Sequence, residues 1–212
     1  MKYKDRPDAG KKLASVLQKN LKIQNRNNYA VISLLRGGVV IGKEISQTLN
    51  IKHFPLAVSK IPAPHNPELA IGALCFSKHW LDRERIRQMG LTNKQLQSSL
   101  LTARQKFQNY VNQFNLLENN YRNLRNKNVI LADDGAATGA TINAAYLFIK
   151  SLHPTKMILA VPVAPADFSI SGFDQVIILH TSINFSAVSQ FYESFPQISN
   201  EKVMSFIYSP SP

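Results

Sequence analysis

Residues 128–141 read NVILADDGAATGAT. Asp133 and Asp134 stand side by side at the end of an apolar run, and only small residues, glycines and threonines follow them. Two adjacent carboxylates are costly in such a place unless something binds them. They can accept hydrogen bonds from the two vicinal hydroxyls of a sugar. The small residues Gly135, Ala136, Ala137, Gly139 and Ala140 leave successive backbone amides unobstructed, and a helix opening near Thr141 adds the positive end of its dipole. Such a bend suits a phosphate, to which Thr138 and Thr141 add hydroxyl donors. Sugar hydroxyls upstream and phosphate downstream together describe a ribose 5-phosphate. Negative charge beneath the sugar would also stabilise cationic character developing at its anomeric carbon.

Rival loop chemistries fail on spacing. A Walker A loop needs four residues between its glycines and then Lys, but only Ala136, Ala137 and Thr138 separate Gly135 from Gly139, and no Lys follows. The dinucleotide pattern G-x-G-x-x-G is absent as well. The plainer alternative is a tight turn whose acids cap the next helix. A second anion site is suggested by LLRGGVV, where Arg36, Gly37 and Gly38 follow an apolar run and precede a helical pattern.

Both loops need a frame that puts strand ends beside helix starts. Nearly continuous apolar, β-branched runs at 29–34, 54–59, 128–132, 157–163 and 176–180 predict strands covered on both faces. Helical patterns at 9–21, 39–49 and 141–152 lie between them, the last stopped by His153 and Pro154. This alternation predicts an α/β fold with a mostly parallel central sheet flanked by helices. The candidate loops then fall at carboxyl ends of strands, where open α/β sheets bind ligands.

Residues 60–127 break the rhythm. They open with the turn-rich KIPAPHNPEL and pass through AIGALCFSKHW into a polar, helix-favouring segment. Leu96, Leu100, Ala103, Phe107, Tyr110, Phe114, Leu117, Tyr121 and Leu124 recur there at spacings of four and three, predicting one long helix over 92–124 with a heptad seam. Packing of that seam within the chain is favoured over a second copy, because mixed aromatics make a poor zipper. The chain is read as a single domain, 1–212, carrying the insertion 60–127.

Composition narrows the class. Of the 25 Lys and Arg, 22 lie in residues 1–127 against 7 of the 13 acids, so a basic half precedes an acidic one. A basic half suggests nucleic acid, a phosphorylated small molecule or simply a solvated surface. Scattered basic residues without a recognition motif place nucleic acid last. The longest apolar run, Met157 to Ala166, is about half of what a bilayer-spanning helix needs, and the N-terminus lacks a signal peptide's apolar stretch, so a cytoplasmic, unanchored chain is expected. The single Cys75 is read as a small buried hydrophobe.

On these residues the chain resembles the type I phosphoribosyltransferases. ILADDGAATGAT is similar to that family's signature for phosphoribosyl pyrophosphate (PRPP), and LLRGGVV is similar to its pyrophosphate loop, with Leu35 where relatives carry Pro. KIPAPHNPELAIGA, DRPDAGKKLA and SAVSQFYESF extend the resemblance over nearly the whole chain, toward a group of uncharacterised phosphoribosyltransferases.

The resemblance implies a phosphoribosyltransferase-like fold with a helical hood. It places Asp133 and Asp134 on the ribose hydroxyls, Ala136 to Thr141 around the 5-phosphate with Gly135 beside them, and Arg36, Gly37 and Gly38 at the pyrophosphate. It further implies a flexible loop closing over the leaving group, for which the stretch 60–76 with Lys60 is the candidate. Phe185 and Tyr192 follow the last strand, where an acceptor base would stack, with Phe191 between them; core packing is the equal alternative. His65 is read as a turn residue and Trp80 as an anchor for the insertion. Magnesium is expected on the pyrophosphate, with Asp133 as its one possible protein ligand. The implied activity is transfer of the phosphoribosyl group from PRPP to a small-molecule acceptor, with a nucleobase nitrogen the expected nucleophile. A PRPP- or nucleotide-sensing regulator on the same fold is the alternative. A homodimer is expected because small enzymes commonly pair.

Overall fold

The structure is a computed structural model, and it describes residues 2–64 and 66–207. The chain divides into two compact units. One is built from the chain up to Leu56, Asn123–Thr138 and the chain from His153 onward; the other is built from Ala57–Arg122 and Gly139–Leu152.

The first unit is organised on β1 (Tyr29–Leu34), β2 (Lys52–Leu56), β6 (Asn128–Ala132), β7 (Lys156–Pro165) and β8 (Gln175–Ser182), which form a parallel sheet in the order β2-β1-β6-β7-β8. β1 and β6 coincide with their predicted runs, and β7 and β8 extend theirs by a residue or two at each end. The reason is composition: YAVISL and NVILA are almost wholly buried, which only a strand covered on both faces allows. Helices α1 (Arg6–Leu21) and α2 (Gly38–Leu49) belong to the same unit and pack against each other. Asp5 caps α1 by accepting from the Asp8 amide, with Pro7 preset in the first turn. A core of Leu13, Leu17, Val31, Ile41, Ile45, Ile130 and Ile158 joins sheet and helices.

Strand order decides where the loops emerge. β1 leads through α2 to β2 on one side, while β6 and the strands after it run to the other, so the order reverses between β1 and β6. Their register pairs Ser33 with Ala132. The chain therefore leaves both strands at nearly the same level, into Leu35 on one side and Asp133 on the other. Beneath this edge Ser33 Oγ lies 2.6 Å from His53 Nε2, and a Cβ on Gly42 would sit 2.5 Å from the same nitrogen. Burial, aided by Lys43, pushes His53 down to about 3.

The second unit differs from expectation. Residues 59–81, read as part of a strand and then as turn and loop, form an antiparallel sheet of β3 (Ser59–Ala63), β4 (Asn66–Cys75) and β5 (Lys78–Leu81). The run 54–59 is not one strand: β2 ends at Leu56, and β3 begins at Ser59 in the other sheet. The prolines that suggested a loop are absorbed by irregularity, since the β3–β4 register shifts on both sides of Pro62. A short helix, α3 (Arg83–Gln88), leads to α4 (Asn93–Phe114), which opens with a capping box between Thr92 and Gln95.

The heptad seam overshoots the helix. α4 stops at Phe114 because Asn115 turns left-handed at φ 51°, and its amide closes on the Val111 carbonyl. Beyond it runs a 3₁₀ turn over Glu118–Leu124. Phe107, Val111 and Phe114 are buried, but Leu117 is 51% exposed. The seam packs within the chain, on β3 and β4, with Phe107 edge-on to Phe76 at 5.1 Å. α5 (Ala140–Lys150) packs on β4 and β5 of the same unit, and Phe148 meets Phe76 at 4.6 Å. Cys75 is buried as expected; its thiol donates to the Ala57 carbonyl and is pushed up by burial, so it is inert. His65 lies outside the described residues.

Two outcomes follow from this packing. Phe107→Ala lowers unfolding free energy by about 3–4 kcal/mol, and Leu117→Ala changes it by under about 0.5 kcal/mol, as read by chemical denaturation; comparable losses would mean the helix runs on past Asn115. His53 is neutral when folded and protonates when unfolded, so the unfolded chain binds the extra proton between pH 6.5 and about 3. Its contribution is complete above pH 6.5 and fades as pH falls, by at most about 1.4 kcal/mol per pH unit. Denaturation of His53→Gln across this range should show a shallower loss.

Candidate functional site

Two loops meet at the edge where the strand order reverses. The one after β1 carries Arg36, Gly37 and Gly38; its Leu35 amide donates to the Leu56 carbonyl, and the Leu35–Arg36 peptide bond is cis. α2 begins directly at Gly38 with no side-chain cap, and the Val39 and Val40 amides of its first turn donate back to the Arg36 and Gly37 carbonyls at 3.4 and 3.2 Å. The one after β6 carries Asp133 and Asp134. Gly37 and Gly38 touch these acids: a Cβ on Gly37 would stand 1.8 Å from Asp134 Oδ2, and one on Gly38 would stand 2.7 Å from Asp133 Oδ1. No side chain larger than hydrogen fits at either glycine without moving a carboxylate.

Each acid is held. Asp133 Oδ1 accepts from the Asp134 amide at 2.9 Å, a local bond that aims the Asp133 carboxylate. Asp134 Oδ2 accepts from Arg6 Nε at 2.7 Å in an ion pair whose side chains are 7% and 16% exposed. Arg6 is fixed from three sides, since Nη1 donates to the Pro196 carbonyl at 2.7 Å and the guanidinium lies 3.6 Å over the Phe195 ring. This planar fork matches a carboxylate and an aromatic face at once, which an ammonium could not do. Sequence reasoning gave Arg6 no role. Its only signal was an Arg in the opening DRPDAGKKLA, and its partner lies 128 residues away.

The loop's own backbone is partly committed. The Ala136 amide donates to the Val163 carbonyl at 2.8 Å, pinning the bend to β7. Gly135 is wedged so tightly that a Cβ would meet Val188 and Val163 at 2.6 and 2.8 Å. The Ala136 amide, expected as part of a phosphate cradle, is spent inward, and its side chain is buried. Ala137 and Thr138 are exposed, and the left-handed Gly139 at φ 71° turns the chain into the first turn of α5, which begins at Ala140 and Thr141. Amides at the start of a helix have no partner within it.

Tyr192 lies behind the site. It is buried, its ring meets Tyr3 at 5.5 Å and Phe195 at 4.8 Å, and its hydroxyl donates to the Asp134 carbonyl at 2.7 Å. Burial, reinforced by the Asp134 carboxylate, pushes this hydroxyl well above the ordinary tyrosine range, so it remains a donor. This residue, read as either stacking on an acceptor or packing in the core, is packed against Tyr3 and Phe195 and bonded to the loop. The N-terminal arm completes the brace, with the Tyr3 amide donating to the Phe191 carbonyl and the Glu193 amide to the Tyr3 carbonyl, both at 2.8 Å. Phe185 stacks on Phe191 at 5.2 Å and is half-buried.

Arg36, Gly37, Gly38 and Asp133 to Thr138 belong to the first unit, where the two loops adjoin. Lys60 and Gly139 to Thr141 belong to the second, Lys60 exposed on β3 and Gly139 to Thr141 continuing the chain from Thr138. The stretch expected as a flexible loop, 60–76, is the β3–β4 hairpin. Among the described residues, no three or more His, Cys, Asp or Glu side chains gather into a metal cage, and no helix is long and apolar enough to cross a membrane.

Comparison with known proteins agrees with this geometry. Two Mycobacterium tuberculosis proteins, "Putative phosphoribosyl transferase MT0597" and "Putative phosphoribosyl transferase Rv0571c", are each 31% identical over 209 residues. The match covers 97% of this chain and 46% of each relative, so the chain spans about half the length of these curated relatives. The crystal structure of TT1426 from Thermus thermophilus is 28% identical with a TM-score of 0.71, covering 98% of both chains. A hypothetical protein from Neisseria gonorrhoeae, solved with bound ppGpp, shares the fold at 13% identity and a TM-score of 0.53, covering 97% of this chain and 94% of that one. The phosphoribosyl transferase domain matches residues 2–168, and the chain belongs to that family.

Proposed function

We propose that the chain transfers the 5-phosphoribosyl group of PRPP to a nucleophilic acceptor, releasing pyrophosphate. The observation that carries this reading is the contact of Gly37 and Gly38 with Asp134 and Asp133 where the strand order reverses. One substrate can engage both loops at once only if it bears an anion at each end and a diol between them. A ribose with a 5-phosphate and a 1-diphosphate has that layout.

In this reading the Gly37 and Gly38 amides and the Arg36 guanidinium hold the diphosphate, while Ala137 to Thr141 hold the 5-phosphate. Asp133 and Asp134 accept hydrogen bonds from the ribose hydroxyls, with Arg6 fixing Asp134 from behind. The bond from the anomeric carbon to the diphosphate oxygen breaks, and its electron pair leaves with pyrophosphate. Negative charge at the two acids stabilises the sugar cation, the acceptor's lone pair forms the new bond, and an acceptor nitrogen then loses a proton. Lys60 remains the candidate charge for the leaving group on the chemistry of its ammonium alone.

Magnesium suits this donor set because it prefers diphosphate oxygens and retained water and needs few protein ligands; Asp133 is the carboxylate that would join it. When bound, it would neutralise the departing pyrophosphate. The acceptor proposed is a nitrogen of a nucleobase.

A second reading, a sensor that binds PRPP or a nucleotide without turnover, draws on the Arg6–Asp134 pair, which already occupies one acid. Pyrophosphate release from PRPP with magnesium and a panel of bases separates the two readings. The enzyme reading expects release with at least one base. It also expects a fall in kcat/KM of about 10²–10³-fold in Asp133→Asn/Asp134→Asn, and about 10²-fold weaker PRPP binding in Gly37→Ala. Binding without release under every condition favours the sensor, and undiminished PRPP affinity in both variants contradicts either.

A further inference from the structure

A cavity of about 350 Å³ lies in the first unit, walled by the start of α1, one face of α2, the segment 194–198, and α6 (Asn200–Ile207). That volume is within the range of small-molecule sites, about 300–1,000 Å³. Neither Arg36 to Gly38 nor Asp133 to Thr138 lines it, so it is separate from the two loops. Its walls are mainly apolar, from Val40, Pro196, Ile198 and the Phe206 ring.

Two cations converge on that ring. Lys43 Nζ stands 5.0 Å and Lys202 Nζ 5.1 Å from its centroid, from α2 and α6 respectively. Two ammonium groups gathered at one aromatic ring favour an anion, which relieves their mutual repulsion. Two acids also reach the wall. Asp5 caps α1, and burial raises Glu44 against the opposing pull of Lys11 and Lys43. The charges over the Phe206 ring itself are those of the two lysines.

We propose that this cavity is a second small-molecule site, which takes an anion with a flat apolar body: an aromatic carboxylate or an aromatic phosphate ester. The body lies along Phe206 and Ile198, and the anionic group sits between Lys43 and Lys202. Arg6 also lines the cavity while its Nε holds Asp134, so one guanidinium is shared between this ligand and the acid assigned to the sugar. Thermodynamic linkage then requires each ligand to change the other's affinity by the same factor. The cavity site stands independently of the PRPP reading; the linkage rests on it.

Phenyl phosphate, benzoate and the neutral analogue benzamide, titrated into the full chain by calorimetry, test the site. At least one of the two anions should bind, with benzamide about tenfold weaker or worse. Lys43→Ala/Lys202→Ala should weaken the anion about tenfold, and Ile198→Trp, which fills the hollow, should abolish binding, with thermal denaturation confirming that both variants fold. No binding by either anion, or equal binding in both folded variants, overturns the site. The PRPP dissociation constant, measured with and without saturating phenyl phosphate, should shift about threefold or more in the natural chain and not in Ile198→Trp. An unchanged constant overturns the linkage. A chain that binds no PRPP removes the proposed function and the linkage together, while the first titration still decides the cavity.

Discussion

The site depends on a steric constraint: two glycines must lie against two carboxylates. Parallel pairing ends β1 and β6 level with each other, so their loops start as neighbours. Only hydrogen at positions 37 and 38 then lets the loop after β1 settle onto Asp134 and Asp133. The loop of Arg36, Gly37 and Gly38 and the two acids become one surface, positive in potential on one side and negative on the other. Such a surface asks for a ligand carrying both an anion and hydrogen-bond donors. Close packing makes the arrangement discrete, because a methyl group on Gly37 would displace the carboxylate that the sugar needs.

Arg6 makes the constraint durable. Charge repulsion would otherwise drive adjacent aspartates apart or protonate one of them. A guanidinium at 2.7 Å from Asp134, held by Phe195 and the Pro196 carbonyl, keeps that acid in place. Removing one partner from a buried pair typically costs about 3–5 kcal/mol, so the first turn of α1 is tied energetically to a loop far along the chain. Tyr192 completes the support by bonding the Asp134 carbonyl. Of the aromatics read as either acceptor-stacking or core residues, Tyr192 packs on Tyr3 and Phe195, and Phe185 on Phe191.

The elements that position the site were legible because each carries its own signal. NVILA and YAVISL are continuous apolar runs closed by DDG and RGG, and the structure ends its strands there. What was not legible was non-local or cancelled. The β3–β5 sheet is hidden by Pro62, Pro64 and Pro67, whose turn signal outweighs a short strand's, and Ala57 and Val58 join two strands of different sheets into one apparent run. The heptad seam kept its period after Asn115 had ended the helix, since Leu117, Tyr121 and Leu124 continue the apolar spacing, although Leu117 is exposed and only the other two are buried. The role of Arg6 could not be read from composition, because an ion pair across 128 residues leaves no periodic trace. Ala136 looked like part of a phosphate cradle for the same reason, its amide being claimed by a carbonyl on another strand.

The most direct measurement is a crystal structure of the chain with PRPP and magnesium. The account predicts the ribose above the level ends of β1 and β6, its hydroxyls within hydrogen-bond distance of Asp133 and Asp134, its diphosphate at Arg36 to Gly38 and its 5-phosphate at Ala137 to Thr141. A sugar bound elsewhere, or one at this edge whose hydroxyls avoid both acids, would contradict it.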